Sequence, residues 1–175
     1  MAEVDSSISG SVQFQPDHTE IQERLVFWDT LDPGRICRTP DQTVRPLRVL
    51  LAEDNPLDQL SIRRLLEKQG VSVFLAGDGR RAVEMYEGGD YDLVLLDILM
   101  PEMDGFEVAT HIREHEVTSG ASVPIIALTA YSLKAVYDKC KSVGMNGYLS
   151  KPVASSDLQA LCSALLPAST ELLPM

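Results

Sequence analysis

From residue 46 onward, short apolar runs alternate five times with longer segments in which apolar residues recur at helical spacing. The runs cover residues 47–52, 71–75, 93–96, 124–128 and 148–149. Runs that are apolar throughout are typical of strands buried on both faces, which occur in parallel sheets covered by helices on each side. The pattern therefore predicts an α/β fold built from five strand–helix units.

The segments between and after these runs predict five helices, at residues 57–69, 80–86, 105–115, 133–143 and 155–166. Gly70 follows the first helix, at a position where glycine commonly ends a helix. Ser155 or Ser156 can cap the last one. We expect residues 46–167 to form one domain, followed by a C-terminal tail at 168–175.

Residues 1–45 differ in composition, being rich in Ser, Asp, Gln, Thr and Pro without a sustained strand pattern. We interpret them as an N-terminal extension or linker. Within it, Ile21, Leu25 and Trp28 stand at i, i+4 and i+7, the spacing of one helix face. This predicts a short amphipathic helix within residues 18–31, docked on the main domain or on a partner.

The overall charge and the cysteines limit the possible partners and compartments. The formal net charge is −11, which repels phosphate backbones and disfavours direct nucleic-acid binding. The three cysteines are far apart and form no CxxC pair, as expected for reduced thiols. No apolar run is long enough to span a bilayer, and the acidic start does not resemble a signal peptide. We therefore expect a cytoplasmic protein without membrane association.

Polar residues follow four of the five predicted strands. Glu53-Asp54 follow the first strand, Asp97 the third, Thr129 the fourth and Lys151 the fifth. Ligands of such sheets gather at the carboxyl ends of the strands, and neighbouring strands lie ~4.8 Å apart, so these side chains can converge on one pocket.

Each of these residues, taken alone, also has a structural interpretation. An acidic pair such as Glu53-Asp54 suits a helix N-terminus. Asp97 and Thr129 could be cap or turn residues, and Lys151 a solvated loop lysine. Only their joint occurrence at the strand ends favours a functional site.

Four sequence motifs contain these residues, and together they resemble the receiver domains of two-component response regulators, most closely those of hybrid sensor histidine kinases. The similarity extends over residues 46–167. It implies a flavodoxin-like doubly wound (βα)5 fold with strand order 2-1-3-4-5. The motifs, in chain order, are Leu51-Ala52-Glu53-Asp54-Asn55-Pro56, the segment from Asp97 to Gly105, Leu128-Thr129-Ala130 and Tyr148-Leu149-Ser150-Lys151-Pro152.

The resemblance implies that Asp97 accepts a phosphoryl group from the phosphohistidine of a histidine kinase. A carboxylate and a phosphoryl group repel each other, and a Mg²⁺ ion between them removes that repulsion. The implied metal ligands are Asp54 and Asp97 directly, Glu53 through water and the backbone carbonyl of Leu99.

Three further residues complete the implied site. Lys151 supplies a positive charge to one phosphoryl oxygen, and the Thr129 hydroxyl donates to another. Tyr148 is expected to be half-exposed, and the resemblance makes it a rotameric switch that turns inward when Thr129 moves. Leu99 and Tyr131 stand two residues after Asp97 and Thr129. Leu99 offers no hydrogen bond to a hydrolytic water and Tyr131 is bulky enough to cover its approach, so a long-lived acyl phosphate is expected.

The expected partners are a sensor histidine kinase and either a histidine phosphotransfer protein or an output partner. The output surface would consist of the fourth helix, fifth strand and fifth helix. No effector domain follows in the sequence, so we expect output by binding or by onward transfer of the phosphoryl group. We do not expect an enzyme, but a phosphoacceptor that assists only its own phosphorylation and dephosphorylation.

Two other functions are less well supported by the sequence. A phosphatase that forms an aspartyl phosphate would need an acid/base residue where Leu99 stands, and leucine cannot transfer protons. A pseudo-receiver that acts only by binding would need a broken site, whereas all the residues of this one are present.

Overall fold

The computed structural model describes residues 24–28 and 45–165. In these residues, six strands and five helices form an α/β unit. The elements are β1 (Leu25–Phe27), β2 (Arg48–Ala52), α1 (Pro56–Glu67), β3 (Ser72–Ala76), α2 (Gly79–Glu87), β4 (Leu93–Asp97), α3 (Gly105–Ser119), β5 (Ile125–Thr129), α4 (Leu133–Ser142), β6 (Gly147–Ser150) and α5 (Ser155–Leu165).

The strands form one sheet in the order β1-β6-β5-β4-β2-β3. Strands β2 to β6 are parallel to one another, and counted among themselves they follow the order 2-1-3-4-5. The flavodoxin-like fold and its strand order are therefore confirmed.

Alternate residues of the parallel strands enter two separate cores, one on each face of the sheet. In β2, Leu50 faces a core shared with α2, α3 and α4, and Leu51 faces a core shared with α1 and α5. This two-sided burial explains why the strands read as continuous apolar runs. None of the helices in the described residues is long and apolar enough to cross a membrane.

For two of the five helices, the observed ends differ most from the predicted ones. Helix α3 runs to Ser119 rather than 115, because Glu116 is buried and accepts hydrogen bonds from Tyr86 and Val123. Gly120 ends it in a left-handed conformation, as is common at helix C-termini. Helix α1 begins at Pro56 behind Asn55, whose side chain accepts from the first free backbone N–H groups.

The helix predicted within residues 18–31 is wrong where the structure describes the segment. Residues Leu25–Phe27 form β1, which is antiparallel to β6 and pairs Val26 with Tyr148. Successive side chains of β1 point to opposite faces of the sheet, so Val26 joins one core and Leu25 and Phe27 pack against the other. The remainder of 18–31, including Ile21, lies outside the described residues.

Strand β1 adds to the edge of the parallel sheet, so the folded unit includes part of the predicted N-terminal extension. Without it, β6 would present a row of unpaired backbone groups along its outer edge. Pairing satisfies these groups and covers apolar side chains on both faces. This gain in hydrogen bonding and burial is the physical reason that the segment is a strand and not a helix.

Candidate functional site

The strand ends bring the predicted acidic residues together. Glu53 and Asp54 follow β2, and Asp97 is the last residue of the neighbouring strand β4. One carboxylate oxygen from each of the three residues lies within 4.8 Å of the others. Three acidic groups at this separation repel each other and create a site for a cation.

Lys151 extends into the same cluster from the loop after β6. Its Nζ lies 2.5 Å from Glu53 Oε2, 3.3 Å from Asp97 Oδ2 and 3.4 Å from Asp58 Oδ2. The lysine is thus paired with carboxylates from three places in the chain. Asp58 was not predicted from the sequence. Its position in the first turn of α1, directly after the acidic motif, was the only signal available.

The position of Asp97 is fixed by close packing of the backbone behind it. Gly105, the first residue of α3, lies so near that a Cβ there would be 2.4 Å from the Asp97 carbonyl oxygen. The Asp97 carboxylate accepts a hydrogen bond from the Leu99 backbone N–H at 3.2 Å. Leu99 therefore lies beside the carboxylate, with its side chain 58% exposed.

Burial and neighbouring charge alter the proton affinities of the cluster. Burial and the nearby Glu53 carboxylate raise the pKa of Asp97 from 3.8 to about 7, although Lys151 acts in the opposite direction. Burial alone would lower the pKa of Lys151, but Glu53, Asp97 and Asp58 outweigh it and the net shift is upward. The lysine therefore stays charged. The charged form of Asp97 is disfavoured until a further cation binds nearby.

Glu53 provides a test of whether the pocket suits a metal ion. It is fully buried, and its Oε1 accepts from the Asn55 backbone N–H at 3.0 Å. Its Oε2 is paired with the Lys151 ammonium at 2.5 Å. A buried carboxylate oxygen with unused lone pairs, next to two more carboxylates, has the oxygen donors that Mg²⁺ prefers.

Thr129 lies at the end of β5, beside Asp97 on β4. Its hydroxyl oxygen accepts from the Tyr131 backbone N–H at 3.0 Å, and its carbonyl accepts from the Lys151 N–H at 2.9 Å. A hydroxyl can accept and donate at the same time, so Thr129 can also donate its proton to an oxygen in the pocket. Thr129 and Lys151 are thus joined through their backbones.

Tyr148 is not half-exposed as expected, but only 3% exposed. Its hydroxyl donates to the Tyr131 carbonyl at 2.7 Å, and its neighbour across the strand pair is Val26 of β1. The strand order expected from the sequence, 2-1-3-4-5, leaves the fifth strand at the sheet edge. The added strand β1 buries the ring, so Tyr148 has the inward position.

Comparison with known proteins agrees with this arrangement. Residues 49–163, more than half of the chain, match the family described as the response regulator receiver domain. The chain belongs to this family. It is a receiver domain of two-component signalling, and the resemblance seen in its motifs is confirmed.

Among curated relatives, hybrid signal transduction histidine kinase B of Dictyostelium discoideum is 42% identical over 120 residues. The match covers 63% of this chain and 6% of the kinase. The chain spans between 6% and 16% of the length of the histidine kinases most similar to it. The receiver domain thus corresponds to one part of much longer proteins.

Two solved structures are informative for the site. The receiver domain of the sensor histidine kinase PA1611 of Pseudomonas aeruginosa, with a magnesium ion in its active-site cleft, is 40% identical. That match has a TM-score of 0.60 and covers 66% of this chain and 93% of the other. The Ssk1 receiver domain of Saccharomyces cerevisiae, in complex with the phosphotransfer protein Ypd1, is 32% identical with a TM-score of 0.62, covering 71% and 89%.

Proposed function

We propose that Asp97 is the phosphoacceptor of this receiver domain and that it takes its phosphoryl group from the phosphohistidine of a histidine kinase. The observation that carries the proposal is the convergence of Lys151 with Glu53 and Asp97 at the ends of three strands. An Asp97 oxygen forms a bond to phosphorus, the phosphorus–nitrogen bond breaks, and the histidine leaves with the bonding electron pair.

The residues around Asp97 have separate tasks in this reaction. Lys151 is already within ion-pair distance of Asp97 and can form an ion pair with an oxygen of the added phosphoryl group. The Thr129 hydroxyl has a proton to donate to one of these oxygens. Tyr148 remains the proposed switch, because its hydroxyl bonds the Tyr131 carbonyl and would respond to movement of Thr129.

The acidic cluster would hold Mg²⁺, as the magnesium-containing receiver of PA1611 suggests by similarity. The proposed ligands are Asp54 and Asp97 directly, Glu53 through water, and the Leu99 carbonyl. Bound Mg²⁺ offsets the repulsion between the Asp97 carboxylate and the incoming phosphoryl group. Asp54 is exposed and Glu53 is buried, which fits an ion that keeps several waters on its open side.

The proposed partners are a sensor histidine kinase and, by analogy with the Ypd1–Ssk1 complex, a histidine phosphotransfer protein. We assign output binding to the face formed by α4, β6 and α5. The receiver would not turn over a separate substrate and would assist only its own phosphorylation and dephosphorylation. A cytoplasmic location, where a kinase has access to ATP, remains our prediction.

The test is phosphorylation by acetyl phosphate with Mg²⁺, followed by mass spectrometry of the intact protein. We expect one added phosphoryl group in the wild type and in Asp138→Asn, which changes an exposed aspartate of α4. Asp97→Asn should remain unmodified. Equal labelling of Asp97→Asn and wild type would disprove the assignment.

A further inference from the structure

Strand β1 is attached to β6 by interactions that surround the site lysine. The Arg24 carbonyl accepts from the backbone N–H of Ser150, the residue before Lys151. The Arg24 guanidinium donates to the carbonyl of Pro152, the residue after it, and to Asp157 Oδ2 at 3.0 Å. Arg24, the residue before β1, thus holds the backbone on both sides of Lys151.

The other end of β1 is attached through Trp28, the only tryptophan of the chain. Its Nε1 donates to the Met145 carbonyl at 2.7 Å, and its ring packs edge-on against Tyr137 of α4, with 5.2 Å between ring centroids. Trp28 therefore connects β1 to the helix beside β6.

Sequence and packing show that β6 accommodates this strand closely. At Gly147, a Cβ would lie 2.7 Å from the Val26 carbonyl oxygen and 3.0 Å from Cδ1 of Phe27. Any side chain at this position would push β1 away. The glycine is therefore a feature of β6 that the docked strand requires.

A series of contacts leads from the centre of β1 to the pocket. Val26 packs across from Tyr148, the Tyr148 hydroxyl bonds the Tyr131 carbonyl, and the Tyr131 N–H bonds the Thr129 hydroxyl oxygen. In this arrangement the Tyr131 N–H holds the Thr129 hydroxyl in place, and the hydroxyl can donate its own proton to an oxygen bound on Asp97. Docked β1 therefore holds both Thr129 and Lys151 in positions suited to an anion.

We propose that residues 24–28 form a strap on the β6 edge that positions Thr129 and Lys151, so that strap docking and anion binding at Asp97 strengthen each other. The inference rests on the proposed function, because the anion is the phosphoryl group or an analogue of it. Coupling of this kind is reciprocal: what the strap adds to anion affinity, the bound anion adds to strap docking. Residues 24–28 act only through other residues and are positioning residues.

The strap also changes the output face. A partner that approaches α4, β6 and α5 meets β1 on the edge of β6, together with Trp28 on α4. Phosphorylation would then stabilise one composite surface made of the receiver and its own N-terminal strand, rather than expose a bare sheet edge.

The experiment uses the full chain with Mg²⁺ and beryllofluoride as the phosphoryl analogue. Beryllofluoride affinity at saturating Mg²⁺ is measured by calorimetry in the wild type, Val26→Asp and Val117→Asp. Val26 is the buried central residue of the strap, whereas Val117 on α3 is 85% exposed, so both variants gain the same charge but only Val26→Asp disrupts the strap. We expect about 5–10-fold weaker binding for Val26→Asp, in the range of typical coupling, and wild-type binding for Val117→Asp.

The reciprocal measurement is quenching of Trp28 fluorescence by iodide. In the wild type, Mg²⁺ with beryllofluoride should reduce quenching, and in Val26→Asp Trp28 should be readily quenched in both states. Circular dichroism checks that the variant is folded. If Val26→Asp is not folded, Arg24→Ala replaces it as the strap variant. Arg81→Ala on α2 is then the control, because each of these arginines is partly exposed and forms one ion pair.

Equal beryllofluoride affinity in the strap variant and its control, or no effect of the analogue on Trp28 quenching, would overturn the strap. If the wild type binds no beryllofluoride, or binds it no better than Asp97→Ala does, the proposed function is wrong. The proposed role of the strap is then wrong as well. The two failures are therefore distinguishable.

Discussion

The ammonium nitrogen of Lys151 lies 2.5 Å from a carboxylate oxygen of Glu53, a side chain with no exposure to solvent. This ion pair is the main interaction that offsets the cost of burying the Glu53 carboxylate, which lies close to the carboxylates of Asp54 and Asp97. It joins the ends of β2 and β6 across the sheet.

Lys151→Gln should destabilise the metal-free protein. The substitution leaves Glu53 and Asp97 close together without their cation, and unpairing a buried charge costs about 1–3 kcal/mol or more. The free energy of unfolding, measured by urea denaturation in EDTA, should fall by this amount. Lys134→Gln, which changes an exposed lysine of α4, should have little effect, and an equally small effect of Lys151→Gln would contradict the prediction.

Mg²⁺ should stabilise the wild type through Asp54. A ligand that binds only the folded state adds about 2.7 kcal/mol at one hundred times its dissociation constant. Thermal unfolding with and without Mg²⁺ should show this gain in the wild type and in Asp138→Ala, but not in Asp54→Ala. Without metal, Asp54→Asn should be more stable than the wild type, because it removes one of three repelling carboxylates. A Mg²⁺-dependent gain that persists in Asp54→Ala would exclude this residue as a ligand.

The contribution of Asp97 to the stability of the metal-free protein should fall as the pH rises from about 4 to about 7. The pKa of Asp97 is raised from 3.8 to about 7 in the fold, so over this window the folded state binds a proton that the unfolded state has released. The contribution is therefore present at low pH and is lost as the pH approaches 7, with a slope of at most about 1.4 kcal/mol per pH unit.

The pH prediction is tested by urea denaturation at several pH values in EDTA. Asp97→Asn cannot titrate and should show a flatter dependence than the wild type. Saturating Mg²⁺ should also flatten the wild-type curve, because it favours the ionised carboxylate. Parallel curves for wild type and Asp97→Asn would show that Asp97 does not titrate in this window.

Much of the fold could be predicted because each parallel strand carries its own signal. Strand β4, for example, is an unbroken apolar run that ends at Asp97, and the burial of all its residues follows from that pattern. The added strand could not be predicted in this way. Leu25, Val26 and Phe27 are compatible with a helix or a strand, and only pairing with β6 decides between them.

The residues of the candidate site could likewise be predicted only in part. Residues that follow strands, such as Asp97 and Lys151, could be placed together because parallel strand ends meet at one edge of the sheet. Asp58 could not, because its contact with Lys151 depends on how α1 lies over the pocket. The inward position of Tyr148 was missed for a related reason, since the strand that buries it comes from a distant part of the sequence.

The acyl phosphate on Asp97 should be long-lived, because Leu99 offers no hydrogen bond to a hydrolytic water and the bulky Tyr131 side chain covers its approach. Leu99 is 58% exposed and Tyr131 is 51% exposed, and the backbone N–H groups of both bond to site residues, Asp97 and Thr129. Hydrolysis needs a water in line with the oxygen–phosphorus bond, and a positioned acid/base group typically contributes about 100-fold or more. We expect phosphorylated Leu99→Asn/Tyr131→Glu to lose its phosphoryl group faster than the wild type after removal of acetyl phosphate.

The decay is followed by mass spectrometry of the intact protein at fixed Mg²⁺ concentration. Leu60→Asn with Val117→Glu is the matched control, because it makes comparable changes at two exposed apolar residues of α1 and α3. The control should decay at the wild-type rate. If the site variant and the control decay alike, the side chains of Leu99 and Tyr131 do not govern access of water to the phosphorus.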